Sequence, residues 1–306
     1  MKVGSNLEKV FESGEFAVTA EIGPPQSANP EPLVHHAKMM KGAADAFNLT
    51  DNQTAVVRLS SIASAVIIMR EGLEPVIQMT CRDRNRIALQ SDLFGAAALG
   101  VKNVLCLTGD HQVFGNEKGS KNVFDLDSIT ELQVFDRLSR EGKQPGGEEI
   151  KVPPKVYLGC AENPFATPYE WRATRLAKKV AAGADFCQTQ AIFDMDMFEK
   201  WMDEVRSRGL DKKIHILAGV IPMKTAGAAR YMKNKVPGMI VPNYIIDRMK
   251  SAKDPKEEGI KLCVEQIETL KTIKGVHGVH IMAVMWEEMV PRIVEMAGLM
   301  PRPSPQ

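Results

Sequence analysis

Residues 103–111 read NVLCLTGDH: four apolar residues after Asn103, then Thr108, Gly109, Asp110 and His111. A continuous apolar run of that length suits a strand buried on both faces, and the polar quartet suits the loop that such a strand feeds. The amphipathic stretch from Arg84 to Leu99 lies just upstream and is closed by Gly100, the residue expected in the left-handed turn that ends a helix. The repeating unit is therefore a helix, a glycine, a buried strand and a polar loop.

Outward from this stretch the same unit recurs. Strands are expected at Phe16 to Ile22, Asp45 to Thr50, Pro75 to Thr80, Asn103 to Thr108, Lys155 to Cys160, Phe186 to Gln190, Ile214 to Val220 and Val279 to Val284. Helices are expected between them at Glu31 to Lys41, Ser60 to Arg70, Arg84 to Leu99, Ser128 to Arg140, Pro168 to Ala182, Asp194 to Arg208, Ala226 to Lys233 and Lys256 to Ile273, with a last one from Trp286 to Ala297. Eight strand–helix alternations are the requirement of a (β/α)8 TIM barrel in one domain; a doubly wound open sheet is the alternative. The Gly-, Pro- and charge-rich stretches 112–125, 142–154 and 236–255 read as long loops.

Composition narrows the function. The 306 residues carry 39 Lys and Arg against 38 Asp and Glu, a net charge of +1, which lacks the basic excess that neutralising nucleic-acid phosphates requires. No run approaches the ~18 apolar residues of a membrane span, and the N-terminus has no signal-peptide core. The five cysteines are odd in number and never spaced CxxC, so they form neither a disulfide framework nor a zinc ribbon. A cytoplasmic protein with reduced thiols and no metal is expected. The chain also lacks a P-loop, a GxGxxG after a strand, an HExxH and a GxSxG.

In a barrel the active site lies at the C-terminal ends of the strands, and this chain places polar residues there repeatedly. Strand one ends in Glu21 before Gly23-Pro24-Pro25, strand two in Thr50-Asp51, strand three in Gln78-Met79-Thr80, strand four in Leu107-Thr108-Gly109-Asp110 and strand six in Gln188-Thr189-Gln190. Glu21 is the candidate general acid, because a carboxyl group set among apolar residues is desolvated and its pKa rises; a loop-capping glutamate would look the same. Asp110 could hold a nitrogen-rich heterocycle or simply cap a turn. Gln190 could read a heteroaromatic edge or tie a loop. Arg172, Arg175 and Lys179, with Lys178 adjacent, set cations on one helix after strand five, suited to a phosphate or to solvent.

Taken in order, the strand-end residues resemble the methylenetetrahydrofolate reductase family. The resemblance runs through Phe16-x4-Glu21-x2-Pro24-Pro25, Thr50, Leu107-Thr108-Gly109-Asp110, Ala182-Gly183-Ala184-Asp185, Thr189-Gln190-x2-Phe193-Asp194, Gly219-x2-Pro222 and Gly275-Val276-His277. It implies a flavoprotein oxidoreductase that passes hydride from flavin N5 to 5,10-methylenetetrahydrofolate. It further implies Glu21 as general acid, Asp110 beside flavin and pterin, and Gln190 on the pterin. Thr50, Gln78, Leu107, Thr108 and Gly159 would line the flavin, with Arg172, Arg175, Lys178 and Lys179 on its phosphate and adenosine end.

The departures from the family pattern are equally specific. Gln78 stands where the family commonly has His, Gly159 where it has Tyr, Arg172 and Arg175 where it has Asp and Asn, and Ala226 near the place of a stacking Phe. These leave the flavin as FAD or FMN and the donor as NAD(P)H or a metal-containing electron-transfer subunit. They resemble the branch found in anaerobic one-carbon metabolism, which implies an oligomer or hetero-complex. A folate-binding or assembly barrel that has lost its flavin is the alternative.

Overall fold

The computed structural model describes residues 1–236 and 238–304. Eight parallel strands close into a barrel in chain order: β1 (Ala17–Ile22), β2 (Ala46–Leu49), β3 (Pro75–Thr80), β4 (Asn103–Leu107), β5 (Tyr157–Glu162), β6 (Phe186–Ala191), β7 (His215–Val220) and β8 (Gly278–Ile281). Pairing of Thr19 with His280 and Ala20 with Ile281 joins β8 to β1, so the sheet has no edge and the open-sheet alternative is excluded. The surrounding helices are α1 (Asn6–Glu12), α2 (Glu31–Met40), α3 (Ser61–Arg70), α4 (Arg86–Ala98), α5 (Ser128–Asp136), α6 (Arg172–Ala181), α7 (Met195–Ser207), α8 (Ala226–Lys235), α9 (Asn243–Ser251), α10 (Pro255–Thr272) and α11 (Val290–Met296). No helix among the described residues is long and apolar enough to cross a membrane.

Three local differences from the expected elements have physical causes. Helix α1 is only seven residues long, but Ser5 caps it and Leu7, Val10 and Phe11 plug the N-terminal mouth of the barrel against Tyr157, Phe186 and Leu217. The stretch 236–255 is not all loop: α9 buries Ile245 and Met249, one turn apart, between Pro242 and Pro255. Strand β5 runs two residues further than expected, to Glu162, so Gly159 lies deep in the barrel instead of near its rim.

Two cores result. The larger packs the outward faces of the strands against the helices, and includes Ile22, Leu49, Ile77, Val104, Leu158 and Ile281. The smaller fills the lower barrel interior with Ala17, Ala46, Val76, Leu105, Tyr157, Phe186 and Leu217. Above that apolar plug the interior turns polar.

Candidate functional site

Strand periodicity decides which strand-end residues meet. Successive side chains alternate faces, so Thr19 and Glu21 of β1, Gln78 and Thr80 of β3, Leu105 and Leu107 of β4, and Gln188 and Gln190 of β6 point inward. All of these but Thr19, which lies below, line a cavity of about 320 Å³ at the C-terminal end of the barrel, together with Asp51, Arg82, Gly109, Asp110, Ala161, His280 and Met282. Five predicted site residues therefore share one chamber: Glu21, Gln78, Leu107, Asp110 and Gln190.

The remaining predicted residues lie elsewhere. Thr108 is out of phase with Leu107; its hydroxyl accepts from Ser128 N at 3.0 Å and it faces a separate cleft beside α5. Thr50 is buried and does not line the cavity, and its hydroxyl has no partner among the described residues. Gly159 is an interior position under Phe186, and a Cβ there would stand 2.3 Å from the Phe186 ring. Ala161, two residues along the same face, takes the place in the cavity expected of Gly159.

Helix α6 is not a uniform phosphate grip. Lys179 is buried and donates to Glu162 Oε2 at 2.9 Å and to the Ala161 carbonyl. Arg172 faces the same carboxylate at 3.9 Å and also donates to the Thr167 and Pro168 carbonyls. Both charges are thus engaged by the protein. Arg175 is half-buried and Lys178 exposed; neither makes a side-chain hydrogen bond to the described residues, so these two remain able to meet a ligand phosphate.

Glu21 is the distinctive titratable group. Burial, with the nearby Glu287 carboxylate adding to it and Arg58 opposing, pushes its carboxyl from an ordinary 4.5 up to about 7. A group poised there can hold a proton at neutral pH and give it up. Arg58 is fixed by donation from Nη1 to the Pro24 carbonyl at 3.0 Å, which ties the β2 loop to the turn after β1.

The opposite wall is braced by two arginines, Arg82 buried and Arg84 half-buried. Arg84 donates to Asp51 at 2.6 Å, and Asp51 Oδ2 also accepts from Thr80 N and Oγ1 at 2.9 Å each. Arg82 donates to the Asn52 carbonyl at 3.1 Å and the Asp110 carbonyl at 3.3 Å, fastening the β2 and β4 loops together. Gly109 between them has φ +90°, and a Cβ would meet Arg82 and Thr80 at 3.1 Å, so this turn requires glycine.

Arg58, Arg82, Arg84 and Glu287 carry no signal in the sequence. Each sits in a loop, and its distance from the cavity is set only by barrel closure. The floor of the cavity was half visible: Gln188 stood in a predicted strand end, but Asn48, Thr19 and His280 join it only across the barrel. All five cysteines are buried and free. Cys106, Cys160 and Cys187 face one another across β4, β5 and β6 on the outward side of the sheet.

A larger cleft, about 800 Å³, opens at the other end of the barrel around Asp45, Glu74 and Arg302. Its cations are committed to the protein: Lys41 to the Glu71 carbonyl at 2.9 Å, Lys102 to the Gly4 carbonyl at 2.8 Å and Arg302 to Asp45 at 2.6 Å. Barrel enzymes work at the opposite face.

A closed (β/α)8 barrel with an acid of elevated pKa in its C-terminal chamber defines a barrel-enzyme class of site. Comparison with known proteins makes this specific. The family model for methylenetetrahydrofolate reductase matches residues 6–298, and the chain belongs to that family.

Similar curated proteins include a probable methylenetetrahydrofolate reductase (NADPH) of Caenorhabditis elegans, 24% identical over 85% of this chain and 39% of its own length. Methylenetetrahydrofolate reductase 2 of Saccharomyces cerevisiae is 25% identical over 81% of this chain and 41% of its own length. The chain thus spans about two fifths of the length of these relatives. Among solved structures, an uncharacterized protein from Clostridium thermocellum that binds two copies of 5-methyl-5,6,7,8-tetrahydrofolic acid superposes with a TM-score of 0.68. It is 14% identical, with 96% of this chain and 98% of that one covered, and it shares the fold.

Proposed function

We propose that residues 1–306 form a single flavin-binding catalytic domain that reduces 5,10-methylenetetrahydrofolate to 5-methyltetrahydrofolate. The observation that carries this is Glu21: a buried acid at the end of β1 with its pKa near neutrality, in one chamber with Asp110 and Gln190. In the proposed reaction the protonated Glu21 carboxyl delivers its proton to N10 of the bound folate as the N10–methylene bond breaks. The methylene carbon is left as an iminium on N5, ready to accept hydride and become the methyl group. Asp110 and Gln190, both at the open rim, present a carboxylate and an amide to the donor and acceptor edge of the pterin.

The chamber suits a flavin. Leu105, Leu107, Ala161 and Met282 supply apolar faces for a flat ring, while Gln78, Thr80, Gln188 and His280 supply neutral donors and acceptors for its edges. A flavin bound there would supply the hydride. Gln78 and Leu107 would hold its ring, and Arg175 and Lys178 its phosphate. The electron donor is NAD(P)H or a metal-containing protein subunit, and the assembly is an oligomer or hetero-complex. Five buried free cysteines support a reducing, cytoplasmic setting.

The test is anaerobic. The purified protein is loaded with FAD or FMN, photoreduced, and mixed with methylenetetrahydrofolate. Return of the oxidised flavin band within the mixing period is expected and needs no knowledge of the donor. A colourless protein that takes up neither flavin would favour the non-catalytic folate barrel.

A further inference from the structure

Beneath Glu21 a chain of buried neutral groups crosses the barrel. Asn48 of β2 and Gln188 of β6 form a reciprocal amide pair: Asn48 Nδ2 donates to Gln188 Oε1 at 2.6 Å, and Gln188 Nε2 donates back to Asn48 Oδ1 at 3.0 Å. Gln188 Nε2 also donates to Thr19 Oγ1 at 3.1 Å, and Thr19 Oγ1 lies 2.9 Å from His280 Nδ1. All four residues are at least nine-tenths buried.

The direction of this chain follows from counting protons. Gln188 Nε2 gives one hydrogen to Asn48 Oδ1, and its second points at Thr19 Oγ1. The Thr19 oxygen therefore accepts there, and its own hydrogen has His280 Nδ1 as its only acceptor among the described residues. A ring nitrogen that accepts carries no proton, so the imidazole proton sits on Nε2.

Nε2 has no hydrogen-bond partner among the described residues, while His280 lines the cavity. Burial pushes the imidazole pKa down to about 3 and keeps the ring uncharged. Because Nε2 opens to the cavity, its N–H is free to donate to an acceptor on whatever the chamber holds.

We infer that His280 is a positioning residue. Its neutral Nε2–H, held in that tautomer by Thr19, Gln188 and Asn48, donates to a carbonyl oxygen or ring nitrogen on the edge of the planar heterocycle bound in the chamber. The inference rests on the reading that this chamber takes a flavin or a pterin; both carry an acceptor carbonyl at C4. It assigns the polar floor a task that a packed apolar floor could not perform, namely choosing which edge of the ring lies downward. Thr19 and Gln188 act through His280 and touch no ligand in this role.

Two measurements test it, one of them independent of any ligand. Nitrogen-15 NMR of the histidine side chains in the ligand-free protein, with the His280 signals assigned from His280→Gln, is expected to show the Nε2–H tautomer. In Thr19→Val, which keeps the shape and removes the hydroxyl, the signals are expected to move toward the other tautomer. A wild-type Nδ1–H signal overturns the inference.

Titrations with FMN and, separately, with 5-methyltetrahydrofolate show which heterocycle accepts the bond. At least one of the two is expected to bind roughly 3- to 30-fold more weakly to Thr19→Val and to His280→Leu. Wild-type binding of either probe with no weakening in either variant overturns the inference and leaves the proposed function standing. Failure of the wild-type protein to bind both probes overturns the proposed function, and the ligand half of the inference with it.

Discussion

Glu21 and Glu287 converge from the two sides of the seam that closes the barrel. Glu21 lies in β1, Glu287 in the turn after β8, and the two strands are paired through Ala20 and Ile281. Both side chains are about nine-tenths buried. Burial raises the Glu21 pKa, the second carboxyl group in the same poorly hydrated corner adds to the rise, and Arg58 limits it to about 7.

The first prediction follows from the sign of that displacement. A carboxyl group raised from 4.5 to about 7 in the folded state stabilises the fold below the lower value, and that contribution is lost as pH rises through the higher one. The difference amounts to roughly 3 kcal/mol. Glu21→Gln is therefore expected to match the wild type in unfolding free energy, read from urea denaturation, near pH 4 and to exceed it by up to about 3 kcal/mol at pH 8 to 9. The same variant should bind flavin normally while losing about 10²- to 10⁴-fold in the folate half-reaction. Normal turnover in Glu21→Gln would remove it as the acid.

Glu287→Gln isolates the contribution of the neighbouring charge. Burial is the larger cause of the Glu21 displacement and remains in the variant, so the falling limb of the pH–rate profile should move to lower pH by less than about one pH unit. The charged groups acting on Glu21 are Glu287 and Arg58, and only the first changes. Stopped-flow reoxidation of reduced flavin by the folate between pH 5 and 9 reads the limb directly. A limb that does not move would show that the two carboxyl groups are uncoupled.

The barrel and the residues in strand phase were legible in the sequence because strand alternation is a local property. Glu21, Gln78, Leu107 and Gln190 fall inward by counting along their own strands. Glu287, Arg58 and Arg82 were not legible, because their approach to the chamber depends on loops whose course is set by contacts far away in the chain. Lys179 marks another limit. Helical spacing placed it beside Arg172 and Arg175, but the burial of Glu162 at the end of β5, two residues beyond the expected strand end, is what turns it into the barrel wall. Gly159 was misplaced for the same reason.

That pairing yields a prediction that separates the cations of α6. Lys179→Met leaves the buried Glu162 carboxylate with the Asn163 N–H and, as its counter-charge, the more distant Arg172, and is expected to cost about 3–5 kcal/mol of stability in urea unfolding. Adding Glu162→Gln to Lys179→Met should restore part of the loss. Arg175→Ala should leave stability within about 0.5 kcal/mol and instead weaken FMN, whose phosphate it would meet, while leaving riboflavin unaffected. Equal loss for both flavins would assign Arg175 to packing.

Gly159 provides the last prediction, because its structure-derived role differs from the flavin contact expected of it. A Cβ at this position would fall 2.3 to 2.7 Å from three atoms of the Phe186 ring, and Phe186 is fully buried in the lower core with Tyr157 stacked at 5.5 Å. The ring has no open side to move into, so Gly159→Ala is expected to destabilise the protein by about 1–3 kcal/mol, the usual cost of overpacking. Phe186→Leu makes room for the new methyl group, and the double variant should be more stable than the sum of the two single changes predicts. Flavin affinity, measured on the folded fraction, should be unchanged in Gly159→Ala because Ala161 intervenes between this position and the chamber. A selective loss of flavin with unaltered unfolding would instead restore Gly159 to the binding site.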